Sequence, residues 1–557
     1  MYLRRLQQTA AIVAALLVLP CAHAQELTGD KVDLEALAQI KQEAFDHSQV
    51  MENLFYISEV YGPRVNNSPN HRAAAEWAMK QMKEWGLKNV HLEKFPFGYG
   101  WQIKKFYAAM ETPAYAALVG FPLAWTPGTN GPLTAEPVWA PIHSKADFAK
   151  YHGKLKGKIV LMFDPAPLKL HTTVEATPSP TDEEIEARAN APRGGAGGRG
   201  PGGPGGAGGA AANRDVSGRG RPGEGTWDYT PTSLAIAGER NHVLRNEVNA
   251  YMHDEGAALV LTPGYNGDGG TIFSTYGGSQ DPADPVPPPI VAVSPEQYNR
   301  IVRLLQHGIT PKLTFDVAVE YQKGDQNSVN VIGEIPGTTK PDEVVMLGGH
   351  FDSWQGGTGA TDNGTGSGVA MEAMRILAAL HKPMARTVRV ALWGGEEEGE
   401  YGSKAYVQQH FAPRDTMIKT PEYDKLDVYF NDDGGSGRFR GVSAGGSPQM
   451  GAIFKSWIAP IKDQHIVAVS GTEFRPTLQP GGTDSSTFSW IGLNGIGFQQ
   501  DSLEYNTRTH HSNADLYDRV QKDDVVQGSL IEAWFAYNAA TRAEMLPRIP
   551  TPEPLKK

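Results

Sequence analysis

Residues 344–354 read VVMLGGHFDSW, residues 359–368 GATDNGTGSG and residues 388–403 VRVALWGGEEEGEYGS, and these three phrases decide the fold. Val344 to Leu347 is a short apolar run met by Gly348 and Gly349, and residues 387–393 are a second, met by Gly394 and Gly395. Both predict buried parallel strands ending in tight turns at the glycines. Between them Val369, Met371, Met374, Ile376, Leu377 and Leu380 recur at a helical rather than a strand-like spacing, so residues 364–380 predict a helix that Pro383 stops. Strand, helix, strand implies a right-handed crossover in a parallel sheet. Ligands of such sheets gather beyond the carboxyl ends of the strands, where His350, Asp352, Asp362, Glu396 and Glu397 fall. His350 and Asp352 are two apart, so on an extended backbone they point to the same side. A histidine and carboxylates gathered this way are the makings of a metal site.

Upstream, residues 1–24 place Arg4 and Arg5 ahead of an apolar run over 10–19 and end in Ala22-His23-Ala24, which predicts an export leader cleaved near Ala24. The run is short for a membrane span, so no stable membrane anchor is expected. Cys21 is the chain's one cysteine and follows Pro20, where a lipidated cysteine needs a small neighbour. Lost with the leader, it leaves a chain without disulfide or thiolate chemistry, secreted or periplasmic. The net charge of −11 argues against nucleic acid as a partner.

Residues 33–61 and 71–85 carry helical patterns, followed by a strand at NVHLEKFPF. From 116 to 320 short strand-like runs, separated by Pro and Gly, predict an inserted α+β unit that divides an outer domain into parts 25–115 and 321–545. Within it, 183–225 is a Gly/Arg-rich tract (RGGAGGRGPGGPGGAGGAAANR at its centre) that predicts a disordered, solvated surface loop. RNA binding by such tracts needs aromatics that this one lacks. Downstream, LDVYFNDDGGSGR is a strand ending in Asp432 and Asp433, 480–498 a loop and a strand in which Asp484 and Ser485 read as a helix cap, 506–518 contains His510 and His511, and 525–540 is a closing helix. There is no HExxH and no Walker-type glycine loop.

The phrases GGHFDSW, LWGGEEEG and HHSNAD resemble the di-zinc exopeptidases, the family of carboxypeptidase Q, the glutamate carboxypeptidases and bacterial aminopeptidases, with the carboxypeptidase Q branch fitting best. The phrase LKGKIVL paired with DEGAALVL makes the 116–320 unit similar to a protease-associated domain. The resemblance implies a mixed, mainly parallel sheet flanked by helices, and two Zn2+ per chain, with Co2+ or Mn2+ compatible with the same donors. It implies His350 and Asp433 on one ion, Glu397 and His511 on the other, and Asp362 bridging them. Glu396 takes the place of the general base, and Asp352 orients His350 from behind. Glu398, Asp432 and His510 are the one-residue alternatives. The implied activity is hydrolysis of dipeptides or short peptides by a zinc metallopeptidase of aminopeptidase, carboxypeptidase or dipeptidase type, in a chain compatible with homodimers. A mono-zinc, glutaminyl cyclase-like enzyme and a non-catalytic, receptor-like module share this fold, and metal content separates the three.

Overall fold

The computed structural model describes residues 29–168, 179–190, 229–477 and 479–555. The expected leader and residues 191–225 of the Gly/Arg-rich tract lie outside them.

An eight-stranded sheet forms the base of the molecule, in the spatial order Lys88–Pro96, Asn327–Ile335, Arg386–Trp393, Lys340–His350, Leu426–Asn431, Gly495–Gln500, Phe439–Ser443, Ala468–Ser470. Its four central strands, from Arg386–Trp393 to Gly495–Gln500, are parallel, and antiparallel neighbours flank them. The sequence phrases of 344–393 explain why this part lies at the centre. Val345 and Leu347 face one helical layer and Met346 faces the other, so a strand with two buried faces reads as one unbroken apolar run. The first layer includes helices Thr365–Ala379 and Lys522–Thr541, and the second includes Tyr401–His410 and Ser485–Trp490.

Two sequence expectations about this sheet change. The strand predicted to stop at Gly348 runs through both glycines to His350. A Cβ at Gly348 would collide with the Ala391 carbonyl, and one at Gly349 would lie 2.6 Å from the Asp432 carbonyl. The pair therefore marks close approach of neighbouring backbone, not a turn. The segment expected to be a loop before Gly495 contains the helix Ser485–Trp490, and Asp484 makes no side-chain capping bond to it.

Between the edge strand Lys88–Pro96 and its partner Asn327–Ile335 the chain builds two further sheets. A four-stranded one pairs Gly100–Thr112 with Lys312–Gln322, and a five-stranded one holds Ile159–Leu161, Leu259–Thr262 and Ile290–Val293 over a separate apolar core. Pro96 pairs with Asn327, so the excursion leaves and rejoins the main sheet at one point. Residues 183–190, expected to be disordered, belong to the helix Asp182–Asn190. That helix is held to the outer domain by Asp182 on Arg440 at 2.6 Å and Glu186 on Lys462 at 3.0 Å. No helix among the described residues is long and apolar enough to cross a membrane.

Candidate metal centre

The parallel strands point the same way, so the residues that follow them share one rim. His350 ends its strand, Glu396 and Glu397 follow Arg386–Trp393, Asp433 follows Leu426–Asn431, Asp362 precedes the helix Thr365–Ala379, and His511 lies in the loop after Gly495–Gln500. Asp362 is at the centre. Its Oδ1 is 3.3 Å from His350 Nε2 and its Oδ2 is 3.5 Å from His511 Nε2. Asp433 Oδ1 lies 3.4 Å from the same His350 nitrogen, and Glu397 Oε2 lies 2.9 Å from His511 Nε2. Two ligand-like groups thus share one carboxylate, and the peptide after it, Asp362-Asn363, is cis.

Two of the one-residue alternatives differ in their surroundings, although His510 and His511 both belong to a group with Asp362 that could hold a metal ion. Asp432 is turned into the interior, where neither of its oxygens has a hydrogen-bond partner, while Asp433 faces His350. His510 also reaches the cluster, at 4.0 Å from Asp362, but it stacks on His511 and packs against Tyr505, and His511 is the closer to Asp362 and the one in contact with Glu397. Asp352 has a broader role than its expected one. His350 Nδ1 lies 3.1 Å from the Asp352 main-chain carbonyl and 3.7 Å from its carboxylate. The carboxylate accepts the backbone N–H groups of Glu396 at 3.2 Å and Glu397 at 3.3 Å, fixing the turn that carries both.

Charge on this rim is heavily one-sided. Burial raises the Glu397 pKa well above the usual carboxylate value, and repulsion from Asp362 adds to it. Glu396 is raised in the same way, first by burial, then by Asp433, Asp484 and Glu397 against the attraction of His350. Burial opposes charge on His350, yet Asp433, Asp352 and Asp362 outweigh it and hold the imidazole well above its ordinary value. Asp362 Oδ2 and Glu397 Oε1 are buried with no hydrogen-bond donor. Carboxylate oxygens left without donors beside imidazole nitrogens are what divalent cations satisfy, so the donor set fits bound metal of the N/O-ligated kind.

Three supporting residues escaped the sequence reading. The Tyr505 hydroxyl donates to Asp362 Oδ1 at 3.0 Å. Asp515 accepts the Thr361 N–H and hydroxyl and the Asp362 N–H, and burial together with the Asp362 charge raises its pKa to about 7. Arg64, fully buried, donates to the carbonyls of Ile57, Phe351, Thr358 and Gly359. Arg64 ends the phrase GPR at 62–64 and Asp515 ends HHSNAD at 510–515, but neither residue carries a chemical signature in sequence. Only the fold shows what they touch.

Residues 330–531 match the model of Peptidase family M28. Carboxypeptidase Q of Homo sapiens is 28% identical over 280 residues, which span 50% of this chain and 55% of that one. Carboxypeptidase Q of Mus musculus is 24% identical over 500 residues, 89% and 87% of the two chains. Among solved structures, a Peptidase M28 precursor from Shewanella amazonensis SB2B superposes with a TM-score of 0.62 at 21% identity, covering 93% of this chain and 99% of its own. BSAP, a zinc aminopeptidase from Bacillus subtilis, gives 0.52 at 16% identity over 90% and 97%. Every candidate ligand falls inside residues 330–531, the segment that matches Peptidase family M28, and on the rim of the sheet, and over most of its length the chain is similar to Carboxypeptidase Q of Mus musculus.

Proposed function

We propose that this chain is a di-zinc exopeptidase that hydrolyses dipeptides or short peptides. One observation carries the reading: the two oxygens of Asp362 address different histidines, and each histidine has a further carboxylate beside it. His350 and Asp433 would hold one ion, Glu397 and His511 the other, and Asp362 both. Zinc bound there supplies Lewis acidity to a water and to the peptide carbonyl. Glu396 accepts the proton of the attacking water and passes it to the leaving amine. Asp352 keeps Glu396 and Glu397 in place through their backbone amides. Under this reading residues 1–24 direct export, the 116–320 unit is of the protease-associated type, and the chain is compatible with a homodimer.

Metal analysis of the purified protein, with hydrolysis of dipeptides and N-blocked peptides before and after chelation, tests the proposal. It expects about two zinc ions per chain and activity that chelation removes and zinc restores. One ion favours the cyclase-like alternative, and none favours a receptor-like module. The same peptide panel decides which terminus is read.

A further inference from the structure

The two histidines of the centre are supported differently. His350 Nδ1 rests on the carbonyl of Asp352, two residues along its own segment. His511 Nδ1 has one hydrogen-bond partner among the described residues, the hydroxyl of Tyr265, 3.5 Å away and 246 positions back in the chain. Tyr265 lies in the loop after the strand Leu259–Thr262, which belongs to the inserted five-stranded sheet.

The same inserted loop grips the backbone around His511. Ser274 donates its N–H to the His511 carbonyl at 3.1 Å, and Ile272 donates its own to Asn513 Oδ1 at 2.7 Å. Phe273 bridges to Ser512, and Arg508 pairs with Asp268 at 2.8 Å. His511 has φ +61°, a left-handed conformation that non-glycine residues adopt only when their surroundings hold them there. Here the surroundings come largely from the insertion.

Resting on the di-zinc reading, we infer that the inserted unit is a structural arm of the metal centre, and that Tyr265 is a positioning residue for His511. An imidazole that binds metal through Nε2 carries its proton on Nδ1, so Nδ1 donates and the phenol oxygen accepts. That bond fixes both the tautomer and the ring plane. At 3.5 Å it is long, and coordination at Nε2 is the event that would draw the ring into line.

Zinc titration of the metal-free full chain against a competing chromophoric chelator tests this with wild type and Tyr265→Phe, alongside melting of both metal-free proteins. The inference expects one of the two ions to bind about 10–100-fold more weakly in Tyr265→Phe. The other affinity and the metal-free melting temperature stay at wild-type values. Two unchanged affinities overturn it, including the case in which only KM rises, which would make Tyr265 a substrate contact. A lower metal-free melting temperature with both affinities falling together also overturns it, because the role is then general stability. A wild-type chain that binds no zinc removes the di-zinc reading itself and this inference with it.

Discussion

Under the proposed function Glu396 differs from the acids beside it in having a proton to move rather than a charge to hold. Glu396→Gln keeps shape and size but removes the base, so it is expected to retain both zinc ions while kcat falls by about 10²–10⁴-fold, as metal analysis and steady-state rates would show. Asp362→Ala should do the reverse and empty the site, because nothing else joins the two halves of the cluster; full occupancy in that variant would contradict the bridging role. Arg64 calls for a different measurement. With four carbonyls depending on it, three of them in buried hydrogen bonds, Arg64→Met should lower unfolding free energy in urea by at least about 3 kcal/mol, since each buried acceptor left unsatisfied costs ~1–3 kcal/mol. His350, Glu397 and Asp433 stand out in sequence because each lies just past an apolar run, whereas Asp362 and His511 were singled out by the resemblance of their phrases to a known family. Tyr505, Asp515 and Arg64 were not. Tyr505 meets Asp362 across 143 positions, a closure no local pattern encodes.

Segment boundaries show the same division. The helix Thr365–Ala379 and the strand Arg386–Trp393 lie within a residue or so of where periodicity puts them, because burial on the expected faces dictates that periodicity. Gly348 and Gly349 misled, since glycine serves a turn and a close backbone approach equally well and only the neighbouring strands distinguish them. At the end of the helix Tyr401–His410, His410 joins Glu93 at 3.1 Å and Glu422 at 3.0 Å. Partial burial opposes its charge, but the two carboxylates win and raise its pKa above 6.5. The stability this provides is complete below the unfolded value and disappears as pH rises through the folded one. His410→Gln should therefore lower the melting temperature clearly at pH 6 and scarcely at pH 10, and equal losses at both would refute the ion-pair account.

For the molecule as a whole, the centre concentrates buried acids, so under the di-zinc reading zinc should act as a ligand of the folded state. Free zinc at a hundred times its dissociation constant is expected to add about 2.7 kcal/mol for one site, measurable as a higher melting temperature that chelation reverses. A melting temperature indifferent to zinc would argue that the acids are reconciled otherwise. The overall α/β architecture could be read from sequence because three phrases within sixty positions held its central motif. The mutual placement of the two outlying sheets and the rim could not, since it depends on loops that pair far from where they arise.

The pairing of Pro96 with Asn327 has a consequence for how the chain is made. During translation the Lys88–Pro96 strand must wait for roughly 230 further residues to leave the ribosome before its partner exists, about 10–50 s at ordinary elongation rates. Over that interval the nascent intervening sheets can fold as a unit of their own, while an unpaired edge remains open to any chaperone or export factor that reads extended polypeptide.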